Sequence, residues 1–165
     1  MKAISIKEIK EELQGFSLVE LREICLRLAR FKKENKELLT YILFESANEA
    51  AYIEGIKKEV DTDFRNINRS NFHLIKKSLR KILKNIRKYS RYSLRKETEV
   101  ELLVHFCRRL AKFRPSVRNN PVLQNIYSRQ IQGIRKKLTA LHEDLQFDYN
   151  TELDELGRIA SHKPD

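Results

Sequence analysis

The sequence predicts an all-α protein, and three observations carry that reading. Apolar residues recur at spacings of three and four along most of the chain, while alternating stretches are almost absent. Only four Gly and three Pro occur in 165 residues, too few for the turns that many short strands need. Ser and Asn stand where helices would begin, ready to accept from the first free amides. The expected architecture is five or six helices in a bundle or a short stack of helical hairpins. Residues 1–147 are expected to form one helical domain, and residues 148–165 an acidic, weakly structured C-terminal tail.

The first helix is short: Ser5 caps it, Ile6, Ile9 and Leu13 mark one face, and Gly15 ends it. Ser17-Leu18-Val19-Glu20 is a capping box, in which Ser and Glu satisfy each other's amides. It opens a second helix with Leu18, Leu21, Cys25 and Leu28 on one stripe, running to about Lys33. A third helix is expected from near Lys36 to Ile67, with Ser46, Ala47, Ala50, Ala51 and Gly55 as a small-residue waist open to close helix approach. The fourth has the cleanest seam, through Phe72, Ile75, Leu79, Ile82, Ile86 and Tyr89.

The fifth helix, from about Lys96 to Phe113, is apolar on a wider arc, which predicts the deepest burial of the set. Arg114-Pro115 stops it, because the proline ring clashes with the preceding turn. Asn120-Pro121 starts the sixth as cap and first-turn proline, with Leu123, Tyr127, Ile131, Ile134, Leu138, Leu141 and Leu145 as its seam. A last weak helix over Thr151 to Ala160 would use Leu153, Leu156 and Ile159.

Residues 25–32 (CLRLARFK) resemble residues 107–114 (CRRLAKFR), with five of eight positions identical. One organisation this suggests is an internal pseudo-twofold repeat of helical hairpins; the other is two unrelated amphipathic helices.

Charge is strongly segregated. Between Phe64 and His142 there are twenty-one Lys and Arg against Glu97, Glu99 and Glu101, a formal +18 within a chain of +11. Segregation of this kind is what recognition of a polyanion requires. On the fourth helix Lys76, Lys77, Arg80, Lys81, Lys84, Arg87, Lys88 and Arg91 all avoid the apolar seam. Lys76 to Arg91 spans roughly 22 Å of helix, the reach of several consecutive phosphates. A solvated face ordinarily mixes Glu with Lys, because like charges repel at i,i+4. Two outcomes are open: a polyanion relieves the repulsion, or the protein's own acids do. The candidates for the second are Glu45, Glu49, Glu54, Glu59, Asp61 and Asp63 on the third helix, and the acidic tail. Tyr89 is read as core; Tyr92, beside Arg91, suits either core or base stacking.

Catalytic patterns are poor. The four His (His73, His105, His142 and His162) fall in no metal-binding spacing. Glu101 and His105 are i,i+4 neighbours that would form a carboxylate–imidazole site with Glu45 and Glu49 if the third and fifth helices met, but a surface ion pair is the simpler reading. Cys25 and Cys107 lie on apolar stripes and read as buried, inert thiols. Gly15, Gly55, Gly133 and Gly157 are isolated, so no phosphate loop or cofactor is expected.

The charged start Met1–Glu8 supplies no signal-peptide core, and no apolar run approaches eighteen residues. Two Cys make no disulfide framework. Together these predict a cytoplasmic protein without a membrane partner. The expected function is non-catalytic binding of a polyanion, RNA or DNA, through the fourth helix and the start of the sixth. The alternative is a scaffold whose basic face docks an acidic protein or another copy of the chain.

Overall fold

The computed structural model describes residues 2–161, the side chains of residues 159–161 excepted. Among the described residues there are eight α-helices and no strand. They are α1 (Ile6–Leu13), α2 (Leu18–Phe31), α3 (Lys33–Thr40), α4 (Glu49–Arg65), α5 (Phe72–Ser93), α6 (Lys96–Ala111), α7 (Pro121–Leu138) and α8 (Glu143–Ser161). Tyr41–Glu45 forms a π-helical segment and Val117–Asn119 a 3-10 turn. No helix among the described residues is long and apolar enough to cross a membrane.

The count exceeds the expected five or six because one expected helix is broken in two and the weak C-terminal segment is a full helix. The third helix does not run from Lys36 to Ile67. It ends at Thr40, widens into the π segment, and restarts at Glu49, where the Asn48 side chain accepts from the Ala51 amide at 3.1 Å. At the small-residue waist expected there, Ala50, Ala51 and Gly55 are exposed, and a Cβ at Gly55 would meet nothing within 4 Å.

At the other end, residues 148–161 belong to α8 rather than to a weak tail. Its apolar residues are few but correctly spaced, with Leu153 and Leu156 both buried. The Tyr127 hydroxyl donates to the Leu156 carbonyl at 2.8 Å. Arg108 donates to Glu152, and Arg135 to Asp154 at 2.5 Å. Ile159, assigned from sequence to that last stripe, is a side chain outside the described residues, as is His162.

The chain divides into two compact units at Glu45–Ser46 rather than near residue 147. In the first, capping boxes start α1 and α2: Ser5 with Glu8, and Ser17 with Glu20. Asn35 Nδ2 donates to the Leu28 carbonyl at 2.9 Å and closes the turn by which α3 comes back against α2. Little of this unit is covered. Tyr41 is its one buried apolar side chain among the described residues, while Ile6, Leu18, Phe31 and Phe44 stand in the open.

The second unit is organised around α6, which touches α4, α5, α7 and α8. Val100, Leu102, Phe106, Cys107 and Leu110 are fully enclosed, as its wide apolar arc predicts. Each such side chain contributes roughly 1.5–3 kcal/mol on leaving water. The α5 seam enters this core through Ile75, Leu79, Ile82, Leu83 and Ile86. Asn120 caps α7 by accepting from the Val122 and Leu123 amides at 2.9 and 3.2 Å, with Pro121 in the first turn. Leu123, Tyr127, Ile131, Ile134 and Leu138 then line its buried face.

Candidate functional site

The eight basic residues of α5 share one side of a continuous 22-residue helix. At 3.6 residues per turn they fall within an arc of about 140°, and the buried seam occupies an arc of about 100° on the opposite side. The cause is local: burying the seam turns every Lys and Arg outward. Lys77, Arg80, Lys81, Lys84, Arg87 and Arg91 are exposed, while Lys76 and Lys88 are half-buried.

The acids do not close over this face. Among the described residues no hydrogen bond or ion pair engages Lys76, Lys77, Arg80, Lys81, Lys84, Arg87 or Arg91. The α4 acids that are paired take partners other than these seven cations. Glu54 takes Lys57 at 2.7 Å, Glu59 accepts from the Tyr89 hydroxyl at 3.0 Å, and Asp61 faces His105 and Arg109. The α8 acids Glu152 and Asp154 pair with α6 and α7.

Lys88 lies over the Tyr89 ring, 4.5 Å from its centroid, and Tyr89 meets Tyr92 edge-on at 6.1 Å. Tyr89, expected in the core, is half-buried, and its hydroxyl reaches out to Glu59. Tyr92 is half-buried too.

The basic face ends at a corner. Leu94 turns the chain with φ 59°, and α6 begins directly after Arg95, which offers no side-chain cap. Beside this turn lies an open cleft of about 360 Å³, with Arg87, Arg91, Arg95 and Lys96 along its walls together with Ser90 and Glu99. A node under the turn holds it in place. The hydroxyls of Ser93 and Thr98 both donate to Glu49 Oε1 at 2.5 Å, and Ser93 Oγ accepts from the Arg95 amide at 3.4 Å. Arg95 Nε stands 3.8 Å from Glu49 Oε2. Thr98 is fully buried and Ser93 nearly so, so the first turn of α4 is tied to the end of α5 by groups withdrawn from water. Glu99 is already paired with Lys137 at 2.8 Å.

Sequence reasoning missed Ser93, Thr98, Arg95 and Lys96, and gave Glu49 other partners than the Ser93 and Thr98 it binds. One signal was available: Arg95-Lys96 stands where a helix start ordinarily carries Ser, Thr, Asp or Asn.

The carboxylate–imidazole grouping of Glu45, Glu49, Glu101 and His105 does not form. Helices α4 and α6 do meet, but Glu101 accepts from Lys57 at 2.7 Å and His105 Nε2 lies 2.7 Å from Asp61 Oδ1. Arg109 Nε is 3.0 Å from the same oxygen, without hydrogen-bond alignment. These contacts tie one helix to the next. Attraction between Lys57 and its two carboxylates outweighs its partial burial and raises its pKa. Among the described residues, no three His, Cys, Asp or Glu side chains gather to hold a metal ion.

The two thiols differ. Cys107 is fully enclosed, and burial first, with Glu152 second, pushes its pKa up to about 12. Cys25, expected to be buried, is exposed, as are Leu18 and Leu28 on the same stripe. The segments 25–32 and 107–114 thus occupy dissimilar surroundings. No family model, curated protein or solved structure matches this chain.

Proposed function

We propose that this protein binds a polyanion, RNA or DNA, without transforming it, and that the basic face of α5 is the contact surface. The observation that carries the reading is that seven cations share one arc and none of them is paired with an acid among the described residues. Leaving like charges together costs stability unless a counter-charge arrives. Phosphates along a strand supply that charge, and contacts of this type give affinity with little base readout. The half-buried Tyr92 beside Arg91 adds an aromatic edge on which a base can rest.

Charge reversal tests this directly. Arg80→Glu, Lys84→Glu and Arg87→Glu change exposed positions on the solvent side of α5, and Glu is a good helix former. Wild-type affinity for a short single strand should fall with salt, with a log–log slope of about 3 to 4 if four to six phosphates are contacted. The triple variant should bind far more weakly, with a shallower slope and a nearly unchanged melting temperature. Equal binding by both proteins would remove α5 from the site.

A second reading is an interaction scaffold that docks an acidic protein or another copy of the chain. The exposed apolar residues of the first unit, Leu18, Phe31 and Phe44 among them, favour it. Sedimentation across a hundred-fold concentration range separates the two readings. Self-association without affinity for any strand at low salt would favour the scaffold.

A further inference from the structure

We infer that the cleft at the α5–α6 corner is a phosphate-monoester subsite that takes the phosphorylated end of a strand laid along α5. The inference rests on the polyanion-binding reading and adds to it a defined place and a chemical class. Four cations, Arg87, Arg91, Arg95 and Lys96, converge on one concavity of about 360 Å³. That volume lies at the lower end of small-ligand sites, about 300–1,000 Å³.

The residues within the cleft leave its positive charge largely standing. Arg87, Arg91 and Lys96 make no ion pair among the described residues, and Arg95 is held only at 3.8 Å from Glu49. Glu99, the carboxylate on the wall, is drawn to Lys137. Arg95 and Lys96 also stand at the start of α6, where no side chain caps the free amides and the helix dipole is already positive. Glu97 in that first turn offsets part of this charge.

A diester along the strand carries one negative charge, whereas a terminal monoester carries about 1.5 to 2 at pH 7. Concentrated cations therefore discriminate in favour of the end. The planar forks of Arg91 and Arg95 suit a phosphate's multiple oxygens. The node of Glu49, Ser93 and Thr98 fixes the turn, so the site is formed before any ligand arrives.

The test uses the full chain with one single-stranded oligonucleotide made in three forms: 5′-phosphorylated, 3′-phosphorylated and hydroxyl-ended. Binding is read by fluorescence anisotropy at low salt. One phosphorylated form should bind about ten-fold more tightly than the hydroxyl-ended strand, the gain from one or two charged hydrogen bonds. In the variant Arg95→Gln with Lys96→Gln, two positions that line the cleft but lie outside the α5 face, that preference should vanish, while affinity for the hydroxyl-ended strand changes less than about three-fold.

If the double variant does not fold by circular dichroism, Arg91→Lys keeps the charge and removes the fork, and should lose part of the preference. Equal binding of all three strands by the wild type would overturn the cleft and leave the α5 reading standing. If no strand binds at all, the broader reading fails. A titration with a nucleoside monophosphate, followed by amide NMR, then decides the cleft alone. Shifts at residues 94–98 would keep it, and unmoved amides would overturn it.

Discussion

Residues 25–32 and 107–114 share five of eight side chains in register, and a helix ends within each segment. Yet Leu28 is 55% exposed where Leu110 is 0%, and Phe31 is 83% exposed where Phe113 is 5%. The difference lies in what surrounds them. Helix α6 is touched by four helices, and α2, within its unit, chiefly by α3. A unit of forty-five residues offers too little chain to enclose an apolar face, whereas the second unit has enough to bury the wide apolar arc of α6. An amphipathic pattern declares which face prefers to leave water. Whether anything arrives to cover that face depends on the rest of the chain.

The contrast should be largest in stability. Leu110→Ala removes a fully enclosed side chain and should cost about 2–5 kcal/mol. Leu28→Ala, at the matching position, should stay within about 0.5 kcal/mol. Melting of the two variants checks this, and similar losses would show that the α2 stripe is covered in solution.

The thiols sharpen the same comparison through a rate. Cys25 should react rapidly with a thiol reagent in the native protein. Cys107, enclosed and with its pKa pushed up to about 12, stays protonated at neutral pH and should react only on unfolding. Two equivalents labelled quickly in the native state would contradict the burial of α6. Cys25→Ala should remove the fast phase alone.

The smallest effect concerns the helix starts of the first unit. Glu20 accepts from the Ser17 hydroxyl at 2.7 Å and from its amide at 2.8 Å, and these bonds lower its pKa, the hydroxyl contributing most. Glu8 is lowered in the same way by Ser5. A folded pKa below the ordinary 4.5 means that the capping contribution is complete above that value. It is lost as the pH falls through the lower folded value. Carboxyl NMR titration should show Glu20 below the ordinary 4.5, and Ser17→Ala should move it back up toward that value.

The basic arc of α5 was legible because it depends on one helix alone. Once Ile75, Leu79, Ile82 and Ile86 are buried, 3.6-residue geometry decides where Arg80, Lys84 and Arg87 point. The caps at Ser17 and Asn120 were legible for the same reason, since each bond closes within three residues. The break at Asn48 was not, because Leu39, Leu43, Ile53 and Ile56 keep a helical rhythm across it. Nor was the docking of α8, whose sparse apolar residues gain their value only from Tyr127 and Arg108 on other helices.

What the sequence determined by itself is therefore the helical class, most helix starts, and the outward direction of the α5 cations. All of these follow from interactions between residues a few positions apart. Only the tertiary structure decided that Cys107 is enclosed while Cys25 is not, and that Glu49 binds Ser93 and Thr98 across more than forty positions. It also decided that the α4 acids Glu54 and Asp61 pair with Lys57, His105 and Arg109 rather than with the α5 cations, and that four cations share one cleft. Such outcomes depend on which helix covers which. Helical periodicity specifies a direction from an axis and carries no information about the neighbour that lies there.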